Sequence, residues 1–209
     1  MLLGMGSAAM AQTQAGNFFM GADIGWLNDE NTYIETNNFG EEGYRIFKRN
    51  ELRMQPMIGT FITNNVALGI YLDYQYGKVN DTYSFERNNI KTRNNRFSVG
   101  PFVRKFFPLN ERFALYGHGN IGYGHSSIRT VQENQNQSVT SHEKYNSFIA
   151  TLKPGIVFFA SKKIGVDLSV RGLQYSFSKL KDSSESNNSL NAGFDLPNLN
   201  LGLNVYLNR

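Results

Sequence analysis

"VALGIYLDYQYG", residues 66–77, alternates without a break. Val66, Leu68, Ile70, Leu72, Tyr74 and Tyr76 share one parity, while Ala67, Gly69, Tyr71, Asp73, Gln75 and Gly77 share the other. A period of two belongs to a β-strand, whose successive side chains point to opposite faces. One face here is oily, the other small or polar. In a water-soluble sheet the oily face meets a core. In a sheet that crosses a membrane it meets lipid, and the polar face turns inward.

The rest of the chain discriminates between these. Its 209 residues suit one domain, and barrels of this size commonly stay undivided. Tyr (11), Phe (16) and Gly (20) are abundant, a mixture that favours strands and close backbone approach over helices. Mean hydropathy is −0.41, and no 18-residue apolar run exists that could form a membrane helix. A β-barrel escapes that test because only alternate residues are apolar. With no cysteine, disulfides and thiolate metal sites are excluded. The net charge of +4 is spread without a basic run, which argues against nucleic acid as a partner. The start, "MLLGMGSAAMAQTQ", places small residues at Ala9 and Ala11 and reads as the end of a signal peptide cut after Ala11. Residues 1–11 are then a residual signal and 12–209 a single exported domain.

Alternation predicts eight strands, at 17–27, 51–62, 66–78, 94–107, 112–128, 145–160, 163–178 and 194–207. The gaps after the even-numbered ones are short: "TNN", "PLNE" and "SK". Those after the odd-numbered ones, 28–50, 79–93, 129–144 and 179–193, are long, polar and read as mobile loops. Small membrane barrels sort their connections this way, with short turns on the periplasmic side and long loops outside.

Placing the apolar set of each strand outward leaves Asp23, Arg53, Asp73, Arg104, Lys153, Asp167 and Arg171 inward. A soluble core would reject so many charges, because each isolated buried ion costs several kcal/mol. A barrel lumen can hold them as mutually paired groups, with Arg53 beside Asp73 or Asp23 as one expected pairing. Aromatics near the strand ends predict two interfacial belts. Trp26, Tyr74, Tyr76, Tyr123 and Tyr175 form one, on the long-loop side; Phe61, Phe106, Phe107, Phe113, Phe159 and Tyr206 form the other.

Three stretches repeat one plan: "QPMIGTFITNNVALGI", "GPFVRKFFPLNERFALYG" and "KPGIVFFASKKIGVDLSV". Each carries a proline (Pro56, Pro101, Pro154), an aromatic, a short turn and an alternating strand, and Pro197 stands at a similar place in the last strand. All four prolines fall on the outward parity, where a lost ladder bond predicts a bulge or bend. Together with "AQTQAGNFFMGADIGW" and "LPNLNLGLNVYLNR", this pattern resembles the outer-membrane β-barrel domain family of Gram-negative bacteria, small eight-stranded porin-like barrels. The resemblance implies an all-β, antiparallel up-and-down transmembrane barrel in the cell outer membrane. It also implies periplasmic termini and contact with outer-membrane lipid or lipopolysaccharide. Other outer-membrane proteins are then candidate partners. The chain departs from such barrels in ending on Leu207, Asn208 and Arg209 rather than on an aromatic residue.

Chemistry is sparse. His118, His125 and His142 lack metal-ligand spacing, and no phosphate loop, nucleophile elbow or cofactor motif appears. "GHSSIRTVQE" supplies His125 and Ser127 on one strand face, with Glu133 or Glu143 further on; this resembles the site of outer-membrane lipid A deacylases. The bland reading is polar residues where a strand leaves the membrane. Eight strands leave an interior that side chains just fill, so Tyr71, Phe102, Tyr116 and the arginines should plug it. The expected role is therefore non-enzymatic: structural or surface-interacting, including as a subunit of a larger outer-membrane complex. The alternatives are a narrow channel for ions or small solutes and a lipid A-modifying hydrolase.

Overall fold

The computed structural model describes residues 11–36, 42–84, 88–134, 137–181, 183–193 and 199–207. A short 3-10 turn, Ala11–Thr13, precedes ten strand segments: β1 (Phe18–Thr36), β2 (Glu42–Thr63), β3 (Val66–Tyr83), β4 (Asn88–Pro108), β5 (Phe113–Glu133), β6 (Ser138–Phe159), β7 (Ile164–Val170), β8 (Leu173–Leu180), β9 (Ser186–Ala192) and β10 (Leu199–Leu207). Every pairing is antiparallel. Neighbours in sequence pair from β1 to β6; β6 then pairs with β7 at one end and β8 at the other. β9 continues the wall beside β8, and β10 lies between β7 and β1. β7 with β8, and β9 with β10, each occupy one place in the wall, so the described residues form a closed ring of eight strands. Residues 1–10 of the expected signal peptide and Pro197 lie outside the described residues.

The short turns follow from local chemistry. Asn65 adopts a φ of 67°, which Asn tolerates better than most residues, and so closes β2 onto β3. Between β4 and β5 the Asn110 side chain accepts hydrogen bonds from the backbone N–H groups of Arg112 (2.8 Å) and Phe113 (3.0 Å). Ser161 Oγ does the same for Lys163 and Ile164 ahead of β7.

The predicted polar loops are mostly strand. Pairing of β1 with β2 runs on from Leu27↔Glu51 to Thr36↔Glu42, and β3–β4 and β5–β6 extend likewise. At roughly 3.4 Å per residue, the β1–β2 hairpin projects about 30 Å along the strands beyond Trp26. Both faces of these extensions are wet, so they lack the apolar alternation by which strands are read. Cross-strand pairs hold them instead: Glu30–Lys48 (2.7 Å), Arg45–Asp81 (2.7 Å) and Lys91–Glu133 (2.8 Å). The predicted seventh strand divides into β7 and β8, and residues 186–192, expected as loop, form β9; the described part of the predicted last strand is β10.

The wall is oily outside and polar within. Ile24, Ile58, Ile70, Val103, Ile121, Leu168, Leu201 and Leu203 are exposed, whereas Asp23, Arg104, Lys153 and Asp167 are buried. Trp26 (70 % exposed), Tyr74, Tyr123 and Tyr175 stand outward near the long-hairpin end. The second predicted belt is corrected. Phe107 and Phe113 face outward, but Phe61, Phe106, Phe159 and Tyr206 are almost fully buried in the lumen. Their own parity, opposite to Ile62, Phe107, Phe158 and Leu207, puts them there.

The prolines acquire a cause. The β2–β3 ladder skips Gln55 and Pro56, the β4–β5 ladder skips Gly100 and Pro101, and the β6 ladder passes from β8 to β7 across Lys153 and Pro154. Toward the preceding strand each proline stays in register, opposite Ala22, Ile70 and Gly117. Each ring thus faces the one neighbour to which its missing N–H would have donated.

Candidate functional site

The lumen is filled in layers. At the short-turn end, residues 11–17 cross the opening. Gln12, Thr13 and Asn17 are buried, and Thr13 C=O accepts from Asn65 N–H at 2.8 Å. Above them lies an aromatic layer of Phe19, Phe61, Phe106, Phe159 and Tyr206, with ring centroids 5.4–6.3 Å apart. Phe102 bridges upward, stacked on His118 at 5.0 Å.

The ionic layer follows. Arg104, with no exposed surface, lies with its guanidinium 4.4 Å from the Tyr116 ring centroid. Its Nη1 donates to Asp167 Oδ2 (3.0 Å), its Nε to His118 Nδ1 (3.1 Å), and its Nη2 to Met57 Sδ (3.3 Å). Asp167 also accepts from Asn204 Nδ2 at 2.7 Å. Lys153 Nζ donates to Asp23 Oδ2 (2.8 Å) and to Gln55 Oε1. Asp23 lies 4.0 Å from Arg104, which joins the two pairs into one group. Gly202 makes room for both acids: a Cβ there would collide with Asp167 Oδ1 and come within 2.8 Å of Asp23 Oδ1. Two cations and two carboxylates in contact let the site stay ionised away from water.

Toward the long hairpins a polar cavity of about 40 Å³ opens, with room for on the order of two or three water molecules. Arg53, Asp73, Arg96, Lys153 and Arg171 line it. Of the seven lumen charges predicted from parity, Asp23, Arg104, Lys153 and Asp167 therefore meet, and Arg53, Asp73 and Arg171 border the cavity above. The expected pairing of Arg53 with Asp73 or Asp23 is replaced: Arg53 binds Glu51 of its own strand at 2.8 Å, and Asp23 is held by Lys153. The same parity places Gln55, His118 and Asn204 inward, as found, and could have flagged Glu51 and Arg96.

His125 and Ser127 sit beyond Tyr123 on β5. The His125 ring contacts Asn146 Oδ1 at 3.0 Å. Glu133 is paired with Lys91, and Glu143 accepts a hydrogen bond from Tyr145 OH at 2.6 Å, so neither acid orients the histidine. Among the described residues no three His, Asp or Glu side chains converge on a metal-sized site. In the hairpins, the hydrogen bonds from Arg45 hold the Asp81 carboxyl below the usual carboxylate range.

An apolar exterior around a polar, ion-paired interior defines a transmembrane β-barrel. The chain belongs to the outer membrane protein β-barrel domain family, whose model matches residues 1–206. It is thus an outer-membrane protein in contact with lipid. Among solved structures it is similar to the outer membrane protein OprG of Pseudomonas aeruginosa, with 8 % identity, 96 % of this chain and 100 % of that one covered, and a TM-score of 0.51. It also matches Ail, the attachment invasion locus protein of Yersinia pestis (14 % identity, coverage 93 % and 100 %, TM-score 0.36). A third match is Neisserial surface protein A (13 % identity, coverage 92 % and 97 %, TM-score 0.36). At these identities the likeness is one of fold. No curated protein matches the sequence.

Proposed function

We propose that this protein is a closed, non-catalytic barrel, inserted with both termini periplasmic, that works through its projecting hairpins at the cell surface. The observation that carries the reading is the filled lumen. A fully buried Arg104–Asp167 pair sits directly over a layer of packed rings, and residues 11–17 lie beneath. A solute that crosses such a stack must displace the buried ion pair and part the rings. What remains to act is the outside: rigid paired ribbons that can present side chains to partners, including other outer-membrane proteins. The dispersed partners of His125, Glu133 and Glu143 support a non-catalytic role. Conductance in planar bilayers tests the reading. Membranes loaded with purified protein are expected to remain silent; reproducible solute-dependent steps would overturn it in favour of a channel.

A further inference from the structure

One strip of the outer wall is built for an amphiphile. It runs down β5, β6 and β8 in strict register. Uppermost are Ser127, Lys144 and Lys181; Ser127 pairs with Lys144, whose C=O accepts from Lys181 N–H at 2.8 Å. Next come His125, Asn146 and Lys179, then an aromatic row of Tyr123, Phe148 and Phe177. Below these lie Ile121, Ala150 and Tyr175, and finally Gly119, Leu152 and Leu173. Because Gly119 and Ala150 have almost no side chain, this lower part sinks into an apolar trough of about 460 Å³ bordered by Val103, Ile121, Leu152 and Leu173.

Among the described residues, the charges at the top are uncompensated. Lys144, Lys179 and Lys181 are exposed on one face, and no carboxylate among the described residues pairs with them. Lys144 and Lys181 lie side by side across the sheet, an arrangement that like charges disfavour. Further round the wall Lys78, Arg93 and Arg129 share one register across β3, β4 and β5, again without an acid. Higher on the neighbouring hairpins the pattern differs: there Glu30 and Glu133 engage Lys48 and Lys91. Cations unpaired among the described residues thus cluster just above the lipid-facing band. Lys144 stands four residues beyond Phe148, roughly 10 Å above the aromatic row for a strand tilted about 40°, within reach of a lipid headgroup.

We propose that this strip binds one phosphorylated glycolipid of the outer leaflet. Its phosphates rest on Lys144, Lys179 and Lys181, its sugar lies against His125 and Asn146, and an acyl chain fills the trough over Gly119. The outer-leaflet assignment rests on the orientation proposed above. The lipid fits better than a soluble polyanion because cations, polar row, aromatic row and trough are continuous. A soluble polysaccharide would use only the first.

The test uses the full barrel in neutral phosphatidylcholine nanodiscs, with lipid A bearing two phosphates and the same lipid stripped of both as probes. The variant K144Q/K179Q/K181Q should bind the phosphorylated lipid at least 10-fold more weakly, with little change for the stripped one. Gly119→Leu should weaken both lipids several-fold without altering charge. A Cβ at Gly119 meets only Val103 Cγ1 at 3.6 Å and Leu152 Cδ1 at 4.0 Å, so the wall accepts it. Heat-modified gel mobility confirms that both variants fold. Unchanged binding of phosphorylated lipid by the triple variant would overturn the proposal. So would loss of binding to a soluble sulfated polysaccharide with lipid binding intact, which would assign the lysines to that partner. Orientation is read separately. The chain has no cysteine, so Thr140→Cys gives a single reporter for a membrane-impermeant maleimide on intact cells. Labelling places the strip in the outer leaflet; absence of labelling overturns the orientation and the outer-leaflet assignment with it, whatever the nanodiscs report.

Discussion

Replacing Arg104 by Met tests the physical basis of the sealed lumen. The ionic layer holds Arg104 and Lys153 against Asp23 and Asp167, a balanced set of charges. Methionine fills much of the same volume but removes one cation and its hydrogen bonds to Asp167 and His118. Asp167 would keep only Asn204 as a donor, in a layer now carrying one excess negative charge. Breaking a buried pair from one side costs about 3–5 kcal/mol, because the remaining ion stays dehydrated without its counter-charge. R104M/D167N restores neutrality and should recover at least about 2 kcal/mol of that loss, a coupling well outside additivity. Urea unfolding in lipid vesicles, followed by the fluorescence of the single tryptophan, Trp26 at the edge of the apolar band, provides the measurement. A cost for R104M below about 1 kcal/mol, or a double variant no more stable than the single one, would refute the reasoning.

Three further outcomes are expected. Leu203→Arg places a charge on the exposed outer face near the middle of β10 and should cost about 2–4 kcal/mol in the same assay; a cost near zero would mean that this face does not meet lipid. Gly202→Ala, which drives a methyl into Asp167 and Asp23, should destabilise by about 1–3 kcal/mol, whereas Gly119→Ala, with its nearest contact at 3.6 Å, should be nearly neutral. In the β2–β3 hairpin the folded-state pKa of Asp81 is depressed by Arg45, so its stabilisation is present above the ordinary carboxylate range and lost as pH falls through the lower folded value. NMR titration of the Asp81 carboxyl should give a midpoint below that of an unfolded aspartate, and Arg45→Gln should raise it toward the ordinary value.

Parity carried most of what the sequence revealed, and its limits mark the corrections. Alternation assigns a side chain to a face, so Asp23, Arg104, Lys153 and Asp167 were legible as inward residues. It gives neither height nor azimuth. That β1, β4, β6 and β7 bring these four together, while Arg53 turns to Glu51, depends on the register of the closed ring. Phe61, Phe106, Phe159 and Tyr206 were misplaced for the opposite reason: nearness to a strand end outweighed a parity that already pointed inward. The hairpin extensions were illegible because the signal itself is missing. A ribbon wet on both faces has no reason to alternate, and Asn, Ser, Glu and Lys are poor strand formers whose pairing is inherited from the wall beneath.

The prolines and the broken wall strand illustrate what only register explains. Pro56, Pro101 and Pro154 were visible at once as a repeat on the outward parity of even-numbered strands. Each costs a ladder bond toward the following strand and none toward the preceding one. At Pro154 the interruption is complete, and the neighbouring strand divides into β7 and β8 around Arg171 and Gly172. Two of the gaps border the polar cavity: Gln55 and Lys153, which line it, are skipped with their prolines, and Arg171 lines it from the break itself. A ring of eight regular strands has little space for three arginines and a lysine around one cavity. Local loss of pairing lets the wall relax around them, and proline, which has no N–H to leave unsatisfied, is the residue that tolerates the gap.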